Sequence, residues 1–194
     1  KFVGTGFADY IVANAEGTTI TGGAGADKIV LGAGKDTILR NGDGTTDGSD
    51  TIIGFTAGTG GDVIDFTTNA AFVATAAVTG YQSIANAGTT AATSGLIVVG
   101  GTSITGTTAA AVEKLLSATD ANITLGASNA SFDIANEAFY LLTDNGTDSY
   151  LFLLKSGGTT AGFTAAEDTA TLLVTFTGVA DATTITAANF ADFA

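Results

Sequence analysis

Ile11, Ile20, Ile29 and Ile38 stand nine residues apart, and Asp9, Thr18, Asp27 and Asp36 each precede one of them by two. Gly22-Gly23-Ala24-Gly25-Ala26-Asp27-Lys28-Ile29-Val30 follows the nonapeptide G-G-x-G-x-D-x-U-x in full. Leu31-Gly32-Ala33-Gly34-Lys35-Asp36-Thr37-Ile38-Leu39 departs from it only at its first residue. A carboxylate at a fixed place in a glycine-rich turn points to cation binding. Glycines reach φ > 0 and let carbonyl groups approach closely. Asp oxygens and those carbonyls together make the all-oxygen shell, six to eight ligands at about 2.3–2.6 Å, that Ca²⁺ takes. Such a site would draw on Asp9, Gly22, Gly23, Ala24, Gly25, Asp27, Gly32, Gly34 and Asp36. A metal-free solenoid or a plain glycine-rich loop is the alternative reading.

The elements that must position these residues follow from the same spacing. The G-G-x-G-x-D stretch is a turn, and x-U-x is a very short strand whose isoleucine points inward. Two turns and two strands complete one circuit of a parallel β-roll, so loops on one side recur every 18 residues and Asp27 lies over Asp9. Without an ion, the stacked carboxylates and converging carbonyl dipoles repel one another, which makes Ca²⁺ an expected part of the fold. Flanking copies are degenerate: residues 4–12 keep Asp9 and Ile11, while residues 13–21 carry Thr18 in place of Asp. After Leu39 the register breaks, and Asp50 arrives 14 residues after Asp36 rather than nine. The inserted stretch carries Asp43, Asp47 and Asp50, which fit a second calcium loop and a solvated acidic turn equally well. Asp50-Thr51-Ile52-Ile53-Gly54-Phe55 and Gly61-Asp62-Val63-Ile64-Asp65-Phe66 preserve D-x-I, add Asp62 and Asp65 to the candidates, and each end in an aromatic able to plug the roll.

Composition removes most other chemistry. Gly (27), Ala (35) and Thr (35) make up half of the 194 residues, and 19 acids against 6 bases give a net charge of −13. His, Cys, Met, Trp and Pro are absent, which excludes a Ser-His-Asp triad, a thiolate nucleophile, an ordinary zinc site and any disulfide. So acidic a chain is repelled by nucleic acid and anionic lipid. No apolar run reaches the roughly 18–20 residues of a membrane-spanning helix. Residues 1–6 show no signal-peptide features, leaving a cytoplasmic chain, a mature fragment or an export signal elsewhere. The start inside a degenerate repeat suggests further chain before Lys1. Paired carboxylates are the remaining catalytic option, but Glu113, Asp120, Asp133, Glu137, Asp144, Asp148, Glu167 and Asp168 fall mostly in turns or on expected surfaces. The chain reads as non-enzymatic.

Residues 67–194 contain no nonapeptide. Thr68–Ala77 can start a helix, and Thr107–Ala118 is the better candidate, with Thr107 or Thr108 as N-cap and Val112, Leu115 and Leu116 as its apolar stripe. Leu96–Val99 reads as a strand. Phe139–Leu142 and Ser149–Leu154 flank Asn145-Gly146 as a hairpin. Thr169–Thr177 is a further strand, and Thr186–Phe190 a short helical turn.

The nonapeptides resemble the RTX calcium-binding repeats of bacterial proteins exported by type I secretion, and the D-x-I-x-x-F and G-x-D-x-I-D-F stretches resemble the way such arrays finish. Ser149-Tyr150-Leu151-Phe152, Glu167-Asp168, Leu172–Phe176, Thr177-Gly178-Val179 and Ala187–Phe190 are similar to the C-terminal segment of RTX-type surface-layer proteins. The resemblance implies a mainly β chain: a calcium-binding parallel β-roll over residues 1–66, then a β-rich capping and secretion-signal region over residues 67–194 with one or two short helices. It implies a structural component of the bacterial cell surface that folds and self-associates into a lattice on extracellular Ca²⁺. Export would run through the type I machinery, which would account for the missing N-terminal signal. The alternative is the calcium-folded secretion module of an RTX adhesin or exoenzyme.

Overall fold

The computed structural model describes residues 1–40, 46–66, 81–84, 89–90, 96–99, 104–116, 124–125, 138–157 and 163–191. The expected helix at Thr68–Ala77 and the candidate ligand Asp43 lie outside them. The first 66 residues make short strands: β1 (Phe2–Val3), β2 (Tyr10–Val12), β3 (Thr19–Thr21), β4 (Lys28–Val30), β5 (Thr37–Leu39), β6 (Asp50–Ile53) and β7 (Val63–Asp65). Odd- and even-numbered strands enter two different sheets, and neighbours within each are parallel. In one sheet Phe2, Ile20, Ile38 and Ile64 are in register; in the other, Ile11, Ile29 and Ile52. Alternation along each strand turns these isoleucines inward, where they are buried. The outward neighbours Tyr10, Val12 and Lys28 are exposed. Parallel sheets are ordinarily covered on both faces. Here the outer face is partly open to solvent along β1–β6, while Val63 of β7 is buried.

Residues beyond 66 complete the same two sheets. β12 (Ala138–Asp144) and β13 (Ser149–Lys155) form an antiparallel hairpin across Asn145-Gly146, with Gly146 at φ 82°. β14 (Thr169–Thr177) is antiparallel to β13, with a register shift at Leu151/Phe152, and parallel to β6, where Phe176 continues the Ile52 column. β10 (Leu96–Val99) and β8 (Tyr81–Ile84) extend that sheet beyond β12, while β9 (Thr89–Thr90) and β11 (Thr124–Leu125) pair separately. Two 3-10 turns, Ala182–Thr184 and Ala187–Asn189, lead into β15 (Phe190–Ala191), which pairs with β7 and sets Phe190 on Ile64. α1 (Ala109–Leu116) is the one α-helix among the described residues. Thr108 Oγ1 accepts the Ala111 N–H at 3.2 Å, and Val112, Leu115 and Leu116 pack on Val99, Leu141 and Phe152.

The chain is therefore β-rich, and both main sheets cross residue 66, the boundary expected between two regions. One core holds the isoleucine columns together with Leu96, Tyr140, Leu151, Val174 and Phe176. The two aromatics expected as plugs reach across the boundary: Phe55 lies 4.7 Å from Phe176 and Phe66 stacks at 4.7 Å on Tyr140, centroid to centroid. No helix among the described residues is long and apolar enough to cross a membrane. The columns set the expected cost of substitution. Ile29→Ala should lower stability by about 2–5 kcal/mol, while Val12→Ala on the outer face should stay within about 0.5 kcal/mol. Urea denaturation midpoints of the two variants check this contrast.

Candidate metal centre

The loops that join the strands stack as the strands do. On one side lie residues 4–9, 22–27 and 46–50, and on the other 14–18, 32–36 and 56–62. Asp27, Asp36, Asp50 and Asp62 each reach back one loop. The Asp9 N–H donates to Asp27 Oδ1 at 2.8 Å and the Asp27 N–H to Asp50 Oδ1 at 2.9 Å. Opposite them, the Thr18 N–H donates to Asp36 Oδ1 and the Asp36 N–H to Asp62 Oδ1, both at 2.7 Å. The spacings are 18 residues at first, then 23 and 26, so the insertions lengthen the loops without breaking either ladder.

The second carboxylate oxygens are treated differently. Asp9 Oδ2 accepts from the Thr5 N–H at 2.6 Å and Thr5 Oγ1 at 2.9 Å; Asp36 Oδ2 accepts from the Gly32 N–H at 3.1 Å, and Asp62 Oδ2 from the Thr56 N–H at 2.7 Å. Asp50 Oδ2 pairs with the Arg40 guanidinium. Asp27 Oδ2 is buried and has no hydrogen-bond partner, in a residue only 2% exposed. A buried polar atom left in that state costs free energy.

Glycine makes the loop stacking possible. A Cβ on Gly22 would overlap Asp27 Oδ2; one on Gly4 would overlap the Gly22 carbonyl oxygen and lie 2.8 Å from Asp9 Oδ2. A Cβ on Gly23, at φ 105°, would overlap the Thr5 carbonyl oxygen. Gly25 (φ 110°) presses on Phe7 and Ala8, while the Ala24 N–H donates to Thr5 O at 3.0 Å. Asp9, Asp27 and the Gly22 and Thr5 carbonyls are thus brought into one pair of loops, with Ala24 and Gly25 supporting them. On the other side Gly32 abuts the Asn14 carbonyl and Gly34 the Gly17 backbone, beside Asp36. There Thr18 offers a hydroxyl bonded to Asn14 Oδ1 at 2.9 Å, not a carboxylate.

Burial dominates the electrostatics. It pushes the Asp27 carboxyl above its ordinary range, with Asp9 and Asp47 adding to the rise and the Asp9 N–H and Arg40 opposing it. Asp50 is pushed up to about 6 by burial despite the Arg40 charge. Asp62 is raised by burial against hydrogen bonds from the Thr56 and Asp36 N–H groups. Asp47 is buried in the loop before Asp50. Asp65 lies in β7, paired with Leu39 and Ala191, outside the loops that carry the ladders. Among the described residues no three His, Cys, Asp or Glu side chains gather into a metal-holding group, so a cation here would depend on carbonyl oxygens as well as carboxylates. The donor set around Asp27 is all oxygen, and its orphaned Oδ2 fits a hard cation.

Sequence reasoning did not single out Arg40 or Asn189, both buried against the loops. Arg40 carries a signal, as the chain's sole arginine, standing where the glycine of a further nonapeptide would begin; Asn189 carries none. No family model, curated protein or solved structure matches the chain. The glycine contacts predict that Gly23→Ala will destabilise by about 1–3 kcal/mol through backbone strain and overlap. Gly6→Ala, whose Cβ meets nothing within 4 Å, should change stability by less than about 0.5 kcal/mol. Thermal melts of the two variants separate the cases.

Proposed function

We propose that residues 1–66 form an RTX-type parallel β-roll ordered by Ca²⁺, and that the chain is a calcium-binding structural protein of the bacterial cell surface. The observation that carries this reading is the unpartnered, buried Asp27 Oδ2 in a glycine-lined loop. Asp9 and Asp27, with the Gly22 and Thr5 carbonyls, would hold an ion between the first two loops of one side; Asp36 and Asp62 are the counterparts on the other. A divalent cation supplies there the positive charge that the stacked carboxylates lack. The role is binding and assembly rather than catalysis.

Extracellular calcium modules bind with Kd of order 10⁻⁴–10⁻³ M, so the sites stay empty at cytosolic calcium and fill outside the cell. At ten times Kd each ion adds roughly 1.4 kcal/mol to folding, and sites sharing carboxylates make folding steeply calcium-dependent. Export in the unfolded state by the type I machinery is consistent with this. Self-association into a lattice is supported by the exposed apolar side chains Phe2, Val3, Phe7, Tyr10 and Val12, gathered on the outermost strands β1 and β2 and the loop between them. A calcium-folded secretion module of an adhesin or exoenzyme is the second reading. It is favoured by the way β14 and β15 complete the sheets of the repeats, which makes repeats and C-terminal segment one folding unit.

Calcium titration into the EGTA-stripped chain, followed by far-UV circular dichroism and light scattering together, decides between them. A cooperative gain of β signal with rising scattering is the expected result. A gain without scattering favours the secretion module, and no response to calcium overturns the β-roll reading. Asp27→Asn should raise the calcium midpoint roughly tenfold, the equivalent of about 1.4 kcal/mol, as measured by the same titration.

A further inference from the structure

Two nitrogen-bearing side chains hold the last loops of the stack. Arg40 occupies the nonapeptide position that Gly22 fills two repeats earlier, and its side chain is turned into the protein, 2% exposed. Its guanidinium pairs with Asp50 Oδ2 and donates to the Gly48 carbonyl at 2.8 Å. Gly48 in turn packs on the Gly25 carbonyl, so this charge sits where loop 46–50 stacks on loop 22–27. Asp27, Asp47 and Asp50 are the carboxylates around it.

On the opposite side the fully buried Asn189 closes loop 56–62. Its amide nitrogen donates to the Asp62 carbonyl at 2.8 Å and the Gly58 carbonyl at 3.1 Å, and lies 3.4 Å from that of Thr56. Its Oδ1 accepts the N–H groups of Gly58 at 2.7 Å and Thr186 at 3.0 Å. Carbonyl oxygens turned on one point are what a hard cation requires, and here an NH₂ group meets them.

We propose that Arg40 and Asn189 stand in for cations at the end of the ladder: a guanidinium replaces the ion between loops 22–27 and 46–50, and a carboxamide replaces it at loop 56–62. This rests on the calcium reading of the earlier loops. Both groups are covalently attached, so their effect does not depend on calcium concentration. In the folded protein, residues 46–66 and the C-terminal strands then hold together without the ion, whereas the earlier loops depend on it. Arg also suits the position because its fork serves a carboxylate and a carbonyl at once, which a lysine ammonium matches poorly.

The test counts ions in the full chain by equilibrium dialysis against calcium, alongside thermal melts in EGTA and in calcium. Asn189→Asp changes the amide to a carboxylate of the same shape among the same carbonyls. It should melt lower than wild type in EGTA, bind one more calcium ion, and recover its melting temperature when calcium is added. Arg40→Gln should likewise lose stability in EGTA and regain it in calcium, with one added ion, whereas Arg40→Lys should add none. Equal losses with and without calcium and an unchanged ion count would overturn the proposal and leave both residues with a packing role alone. Failure of Asn189→Asp to fold even in calcium would count the same way. If wild type binds no ion, the calcium reading of the earlier loops fails; an ion gained by Asn189→Asp alone would still uphold the inference for Asn189.

Discussion

Asp27, Asp36 and Asp62, in loops stacked one over another, and Asp50, at the start of β6, are buried in a chain of net charge −13. A buried carboxylate must be hydrogen-bonded, paired or neutralised, and within the protein three of the four meet that demand in full. One oxygen of each takes a backbone N–H from the preceding loop. The other takes an N–H within its own loop at Asp36 and Asp62, a guanidinium at Asp50, and no protein group at Asp27. The glycines, the strand spacing and the loop lengths all serve to stack these groups. The loops are close enough that a Cβ at Gly4, Gly23 or Gly32 would overlap a carbonyl oxygen of the neighbouring loop.

Much of this is written locally. Ile11, Ile20, Ile29 and Ile38 announce their inward columns because a short strand with one buried side chain leaves little else to specify. The Asn145-Gly146 hairpin and the Thr108-capped helix were readable for the same reason: turn chemistry and capping act within a few residues. Leu96–Val99 and Thr169–Thr177 likewise have the bounds their composition suggests.

What the chain does not spell out is pairing at a distance. Nothing around Thr169–Thr177 indicates that β14 will run antiparallel to β13 on one edge and parallel to β6 on the other, since that choice depends on which edge the repeats leave open. Asn189 sits in an unremarkable Thr-Ala-Ala-Asn stretch, and its role comes from Thr56, Gly58 and Asp62 on the far side of the core. Arg40 shows how a broken repeat can be informative, because the residue that spoils the nonapeptide is the one that pairs with Asp50. Asp62 keeps the place two residues before an isoleucine that the other ladder carboxylates hold, whereas Asp65 follows Ile64 and falls in a strand, three residues beyond the loop.

The two kinds of contact also differ in when they can form. The first ladders join residues 18 apart, whereas the Asn189 contacts to the loop at Asp62 span 127. Loop-closure entropy makes the longer closure costlier by about 1.7 kcal/mol, and contacts so far apart form late. The repeats therefore take shape while the outer edges of β6 and β7 still wait for β14 and β15. An open edge invites pairing with the wrong strand, and inward or edge-borne charge is a known guard against it. Both waiting strands carry one: Asp50 opens β6 and Asp65 ends β7. One ladder carboxylate, Asp50, and one strand carboxylate outside the ladders, Asp65, thus protect the unfinished sheets in the interval before the C-terminal strands arrive.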